Sequence, residues 1–350
     1  MYDLLIKGGT VIDPSQKLNG LNDVAVEDGK IARVAPNIPA EEATRVIDVA
    51  GKIVTPGLID LHTHVYDGVN GNGVKADLGG VRAGVTTMVD AGSAGCDTFG
   101  GIPKHVIPGN DTEIICFLHI CRTGLATTPD IFSPASIDLD KTIQVASENR
   151  DVICGIKARM VSPALEIMGM EMPKLAKRAA KEAGVKLMVH IGESPMSIPE
   201  MLELLEPGDC ITHCFKGGST RILDHDDSVF SAVRDASAAG VIFDVGHGYG
   251  SFNWETCQAC LEGGLEPTTI STDLHQKNLH GPVYDMPTTM SKFLHLGVPL
   301  ERVIEMSTTR PAAVLGQAEQ LGTLRVGTVA DIAVLQRHEG RFVLTDSYSQ

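Results

Sequence analysis

The chain has 350 residues and a formal net charge of −15; 43% of its residues are hydrophobic and 4% aromatic. That length can bury one large core and a small one, while the acidity argues against a grip on nucleic acid or on an anionic membrane surface. No apolar run approaches the ~20 residues of a membrane span, MYDLLIKGGTVIDP has no basic, cleavable leader pattern, and eight scattered cysteines suit a reducing compartment, so the expectation is a cytoplasmic chain with no membrane and no nucleic-acid partner.

In chain order, DLLIKGGTVID, DVAVEDGKIARVA and TRVIDVAGKIV are alternating, β-branched runs broken by Gly or Asp-Gly. They predict short strands up to about residue 55. Residues 320–345 read the same way, in LGTLRVGTVADIAVLQ and GRFVLTD. The two ends are expected to pair into one small β-sandwich domain (1–55 with 320–350), because an isolated hairpin is marginal in water. The middle, 56–319, alternates apolar strand-like runs with helical patterns. The predicted strands are GLIDLHTH (57–64), VTTMVDA (85–91), EIICFLHI (113–120), VICGIKA (152–158), VKLMVHI (185–191), CITHCF (210–215), VIFDVG (241–246) and TTISTD (268–273). Near-continuous apolar runs of this kind suit parallel strands covered on both faces. Eight β-then-α units match an α/β fold of the (β/α)8 TIM-barrel type in number and length. A doubly wound sheet is the alternative, weakened by the lack of a Gly-rich nucleotide fingerprint after the first strand. Cys257 and Cys260 form a lone CxxC inside a helical pattern, with no second pair to complete a zinc site.

Polar residues stand at the C-terminal ends of several predicted strands. Strand one ends in His62 and His64, strand four in Lys157, strand five in His190, strand six in His213 and strand eight in Asp273. A (β/α)8 barrel opens all its strand C-termini on one face, so these residues should converge. Residues i and i+2 of a strand share a side, which lets His62 and His64 grip one ion with Thr63 turned away. Imidazole and carboxylate suit zinc and similar ions. A single histidine is more often a core or surface residue; the regular placement of the whole set is what points to metal.

At these residues the chain resembles the amidohydrolase superfamily, in its binuclear-metal, dihydroorotase-like branch. The resemblance spans nearly the whole length, from VTPGLIDLHTH to the closing VGTVADIAVL. It implies two divalent ions, zinc being the expectation. His62 and His64 would bind the more buried one, and His190 and His213 the other. Lys157 would bridge them as a carbamate formed with carbon dioxide. Asp273 would ligate and carry protons as the catalytic acid and base. A free ammonium would repel two cations, and a buried lysine loses its proton readily, so a carbamate is chemically reasonable. Two patterns depart from the branch: Tyr66 stands where dihydroorotases often place an arginine, and Ser162 where hydantoinases place a tyrosine. GIKAR, HIGE, ITHCFKG, DVGHGYGSF, STDLH and YDMPTTMSKFL look most like the amidohydrolase/deacetylase subgroup. That likeness implies a hydrolase that removes an acyl group, acetyl by expectation, from a small carboxylate-bearing ester or amide through a metal-bridging hydroxide. The alternatives are a cyclic amidase of dihydroorotase or hydantoinase type, a mononuclear deaminase, and a non-catalytic assembly protein.

An anionic small-molecule substrate has some support in the residues themselves. Arg159 follows Lys157 by two, on the same side of a continuing strand, and a guanidinium suits a carboxylate; a salt bridge to a neighbouring loop is the competing reading. His275 follows Asp273 by two and either reaches substrate or faces solvent. His119 is expected to pack, His247 is a weaker candidate, and Lys216, Tyr249 and Tyr284 stay undecided. A homo-oligomer is compatible with this architecture.

Overall fold

The computed structural model describes residues 1–69 and 71–349. Strands β1 (Tyr2–Asp13), β2 (Leu18–Glu27), β3 (Lys30–Ala35), β4 (Ala43–Asp48) and β5 (Ile53–Pro56) join β13 (Ile332–Leu335) in a six-stranded sheet ordered β13-β5-β1-β2-β3, with β4 also paired to β1. Asp28 and Gly29 turn β2 into β3 with left-handed φ of 51° and 69°, the turn chemistry that Asp-Gly supplies. Ile6, Val11, Val24, Ile31, Val54 and Leu324 form the core of this sheet.

The second sheet is parallel. It runs in chain order through β6 (Leu58–Thr63), β7 (Val85–Gly95), β8 (Glu113–His119), β9 (Ile153–Met160), β10 (Lys186–Ile191), β11 (Cys210–Thr212) and β12 (Ile242–Asp244). Helices cover it, including Leu139–Glu148, Glu171–Ala183, Ser231–Ala239, Trp254–Glu262, Met286–His295 and Leu300–Ser307. The larger apolar core lies between these layers. This is the TIM-barrel arrangement expected of strictly ordered β/α units.

Two sequence expectations need correction. TTISTD forms no regular strand. It crosses the gap between the sheet edges through single bridges, Asp244 to Thr269 and Thr63 to Leu274. Side chains replace the missing ladder: Asp60 accepts the Thr272 N–H (2.9 Å) and the Thr272 hydroxyl (2.5 Å). GRFVLTD also forms no strand; Phe342 and Val343 are exposed. The chain leaves the sheet after β13, and Ser347 N–H then donates to Phe252 O (2.9 Å) on the barrel, so the alternating run has no sheet edge beside it. The CxxC cysteines are buried in helix Trp254–Glu262, and all eight cysteines are free. No helix among the described residues is long and apolar enough to cross a membrane.

Asp13, at the end of β1, is fully buried. It accepts from Ser15 N and Oγ, from Gln16 Nε2, and across the chain from Leu324 N (2.7 Å). Removing the carboxylate strands several buried donors. Asp13→Ala is expected to destabilise the protein by about 3 kcal/mol, read as a lower midpoint in chemical denaturation; an unchanged midpoint would refute this tie between the two chain ends.

Candidate metal centre

The C-terminal ends of β6, β9, β10 and β11 converge with Asp273 on one face. Nε2 of His62 and of His64 lie 3.4 and 3.2 Å from Asp273 Oδ1. His190 Nδ1 meets His213 Nε2 at 2.7 Å. Lys157 Nζ is 3.3 Å from His62 Nε2 and 3.2 Å from Met188 Sδ. One donor atom each from His62, His213 and Asp273 fits within 4.8 Å of the others. His62, His64, Lys157, His213 and Asp273 are buried and His190 half-buried.

Hydrogen bonds behind the rings fix which nitrogen faces inward. The Thr212 hydroxyl donates its proton to Asp244 Oδ2 (2.7 Å), so at 2.8 Å it accepts from His62 Nδ1–H. His62 Nε2 is then a lone pair aimed at the cluster, where Lys157 Nζ meets it at 3.3 Å. His213 Nδ1–H donates to Gly246 O (2.6 Å), leaving its Nε2 as the lone pair. His64 Nδ1 pairs with Ser93 Oγ (2.9 Å). Outer partners of this kind orient metal ligands and set their tautomers.

The backbone is shaped to the cluster as well. His213 and Asp273 adopt left-handed φ of 69° and 49°, a conformation that non-glycine residues hold mainly where the surroundings enforce it. Gly246 and Gly248 also have positive φ. A Cβ on Gly246 would stand 2.3 Å from Thr212 Oγ1, and one on Gly248 2.5 Å from Asp273 Oδ2. Only glycine lets this loop pass so close to the ligands.

Burial dominates the electrostatics. It pushes His62 and His190 well below the ordinary imidazole range and His213 down to about 4. Burial also lowers the Lys157 ammonium to about 8. Burial alone would raise the Asp273 carboxyl, but His64, His213 and His275 beside it hold it well below the usual carboxylate range. The result is neutral His62, His190 and His213 rings near an ionised carboxylate. No hydrogen bond of good geometry reaches the buried Asp273 Oδ1. Deprotonated nitrogen donors around an orphaned carboxylate oxygen are what divalent metal binding requires, so the residues fit the ions.

The remaining candidates fall outside this cluster. Arg159 Nη1 lies 3.4 Å from Asp130 Oδ1, and His119 Nε2 lies 3.3 Å from Asp130 Oδ2. The His275 ring centroid is 6.4 Å from that of His64. His247 Nε2 accepts from the buried Lys292 ammonium at 2.6 Å. Lys216 pairs with Glu193; Tyr249 and Tyr284 are exposed. The Tyr66 hydroxyl donates to Thr98 O (2.9 Å), away from the ligands. Sequence reasoning missed Thr212, Ser93, Asp130 and Lys292. Asp60 and Asp244 carried a readable signal, an acid inside an apolar strand run. A separate cleft of about 720 Å³ lies among the strand N-termini, lined by Lys177, Lys181 and Glu206; it contains none of the candidates, and both lysines are paired with Glu206.

Thr212→Val would leave His62 Nδ1 without its acceptor and remove one of the three hydroxyl donors to Asp244. It is expected to weaken zinc retention about tenfold to a hundredfold in chelator competition; unchanged retention would refute the relay. In the metal-free protein, His213 is held at about 4 and His247 at about 3, against an ordinary 6.5. The unfolded chain therefore binds more protons below pH 6.5, and stability falls as pH drops from about 6.5 toward 4. The urea midpoint of metal-free protein is expected to be lower at mildly acidic than at neutral pH, and a flat profile would contradict it.

Residues 232–346 match the family model described as the amidohydrolase family. Deacetylase Atu3266 of Agrobacterium fabrum (strain C58) is 37% identical, over 91% of this chain and 79% of that protein. Two solved structures overlay closely: one described as an adenine deaminase (TM-score 0.92, 33% identity, 100% of this chain and 94% of that one) and one as a dihydroorotase (TM-score 0.91, 34% identity, 100% and 92%). Barrel, ligand cluster and relatives agree: the chain belongs to the amidohydrolase family of hydrolases.

Proposed function

We propose that the protein is a metal-dependent deacylase that removes an acyl group, acetyl in the first instance, from a small ester or amide bearing a carboxylate. The observation that carries this reading is the meeting of His62, His64, His190, His213, Lys157 and Asp273 on one face, with Asp273 Oδ1 lacking a protein partner. The deacetylase name of the Agrobacterium relative supports the bond type. Tyr66, turned onto Thr98 O, offers no cation where a ring-opening relative would hold its substrate.

His62 Nε2, His64 Nε2 and Asp273 Oδ1 would hold one ion. His190 and His213 would hold the second. Lys157, whose amine is neutral above about 8, would add to carbon dioxide, lose a proton and stand as a carbamate between the two. When bound, the ions, zinc in our reading, supply an activated water and polarise the scissile carbonyl. Asp273 takes the proton of the attacking water at Oδ2, the oxygen beside Gly248, and returns it to the leaving alkoxide or amine, as base and then acid. Arg159 and His275 flank this ring and would face the carboxylate. In this reading the chain divides into a catalytic barrel, 56–319, and a small β domain, 1–55 with 320–350.

The test is acetate release from N-acetyl amino acids and O-acetyl 2-hydroxy acids, run beside dihydroorotate, hydantoin and adenine. Turnover of an acetylated carboxylate, and of none of the others, is the expected result. Turnover confined to the rings would replace the reading with a cyclic amidase, and release of ammonia from adenine with a deaminase. Asp273→Asn is expected to remove at least about 99% of turnover, given the 10²–10⁴-fold typical of general acid–base catalysis; near-normal turnover would exclude the proton role.

A further inference from the structure

A second buried polar array lies beside the ligand cluster, at the ends of β8 and β9. Asp130 is 2% exposed and His119 fully buried, yet both carry polar atoms without a well-formed hydrogen bond, Asp130 Oδ2 and His119 Nε2. They face each other across 3.3 Å. The tautomer of His119 is fixed, because its Nδ1 accepts the Cys121 N–H at 2.9 Å. Its Nε2 therefore carries the proton, 3.3 Å from Asp130 Oδ2. The other Asp130 oxygen lies 3.4 Å from Arg159 Nη1.

Register places this array against the ligands. In the parallel ladders His119 is the partner of Lys157, and Arg159 is the partner of His190. Partners in a ladder project to the same side of the sheet, so Arg159 shares a layer with His190 and His119 with Lys157. The packing is close: a Cβ on Gly92 would stand 2.9 Å from Lys157 Cβ and 3.2 Å from His119 Cδ2. Asp130 and His119 are sealed in the wall, whereas the Arg159 side chain is 29% exposed. The counter-ion sits behind the guanidinium. A guanidinium has five N–H donors in a fixed fork, and Asp130 engages one nitrogen, so donors remain for an incoming carboxylate.

We propose that Asp130, braced by His119, is a positioning residue that holds the Arg159 guanidinium as a clamp for the substrate's carboxylate, and so makes the enzyme prefer acylated anions to their neutral analogues. This rests on the deacylation reading and adds a source for its specificity. A preset guanidinium recognises a carboxylate bidentately; a loosened one keeps its charge and loses its geometry.

The experiment compares acetate release from N-acetyl amino acids and O-acetyl 2-hydroxy acids with release from their methyl esters, in the unaltered metal-loaded enzyme, Asp130→Asn, Arg159→Met and the double variant. In each single variant the preference for the anion, as a ratio of kcat/KM values, is expected to fall by about tenfold or more, the size of one charge-assisted hydrogen bond. The loss should appear in KM. The double variant should match Arg159→Met, since Asp130 acts through the arginine. If Asp130→Asn does not fold, His119→Asn takes its place in the same cycle with the same criterion. An unchanged preference in the positioning variant, or losses that add in the double variant, would overturn the proposal. An unaltered enzyme that cleaves neither the anion nor its ester would overturn the deacylation reading itself.

Discussion

The site depends on how the barrel closes. β12 and β6, the two edges of the parallel sheet, are joined by an irregular segment and a buried carboxylate. Asp60 takes both the N–H and the hydroxyl of Thr272, and the next residue, Asp273, donates its own N–H to His62 O at 2.6 Å. A regular strand would keep its ladder with both neighbours. This segment gives up regularity, turns Asp273 into a left-handed conformation and places its carboxylate beside His62 and His64, at the end of β6. The segment that closes the barrel is the one that carries Asp273.

Such a centre concentrates charge in a dry interior, and the protein manages it with hydroxyls. Asp244 is fully buried and accepts from Thr212, Thr269 and Ser271 within 2.6–2.7 Å. Burial pushes the Asp60 carboxyl up to about 7 and raises Asp244 as well. Buried groups of this kind are costly unless every lone pair is met. The hydroxyl relays meet those of the outer carboxylates. The inner face keeps Asp273 Oδ1 without a partner, which divalent ions would supply. Lys292 shows the same economy away from the centre: its ammonium donates to His247 Nε2, Pro282 O and Thr345 O at 2.6–2.9 Å, joining two mouth loops to the segment that follows the small sheet.

Much of this was legible in the sequence, and for a physical reason. Parallel strands buried on both faces write long apolar runs, so a histidine or lysine at the end of such a run stands out. His62, His64, Lys157, His190, His213 and Asp273 stand out in that way, and the fold places their side chains on one face. TTISTD misled because its side chains, not its ladder, close the barrel. GRFVLTD misled because alternation specifies a strand only where an edge is free to pair. Thr212 and Ser93 were invisible, since a hydroxyl in a strand or turn carries no signal until its partner is known. Asp130 lies in a Ser-, Thr- and Pro-rich connection, 29 residues from the arginine it meets, and no periodicity links the two.

Similarity leaves the substrate open, because structures described as an adenine deaminase and a dihydroorotase match this chain at nearly the same identity. The ligand cluster is the claim on which every reading of the chemistry rests. The most direct measurement is the metal content of the protein purified with zinc and bicarbonate present. About two ions per chain, the number that a bridged pair requires, is the predicted result. A content near zero under those conditions would contradict the account.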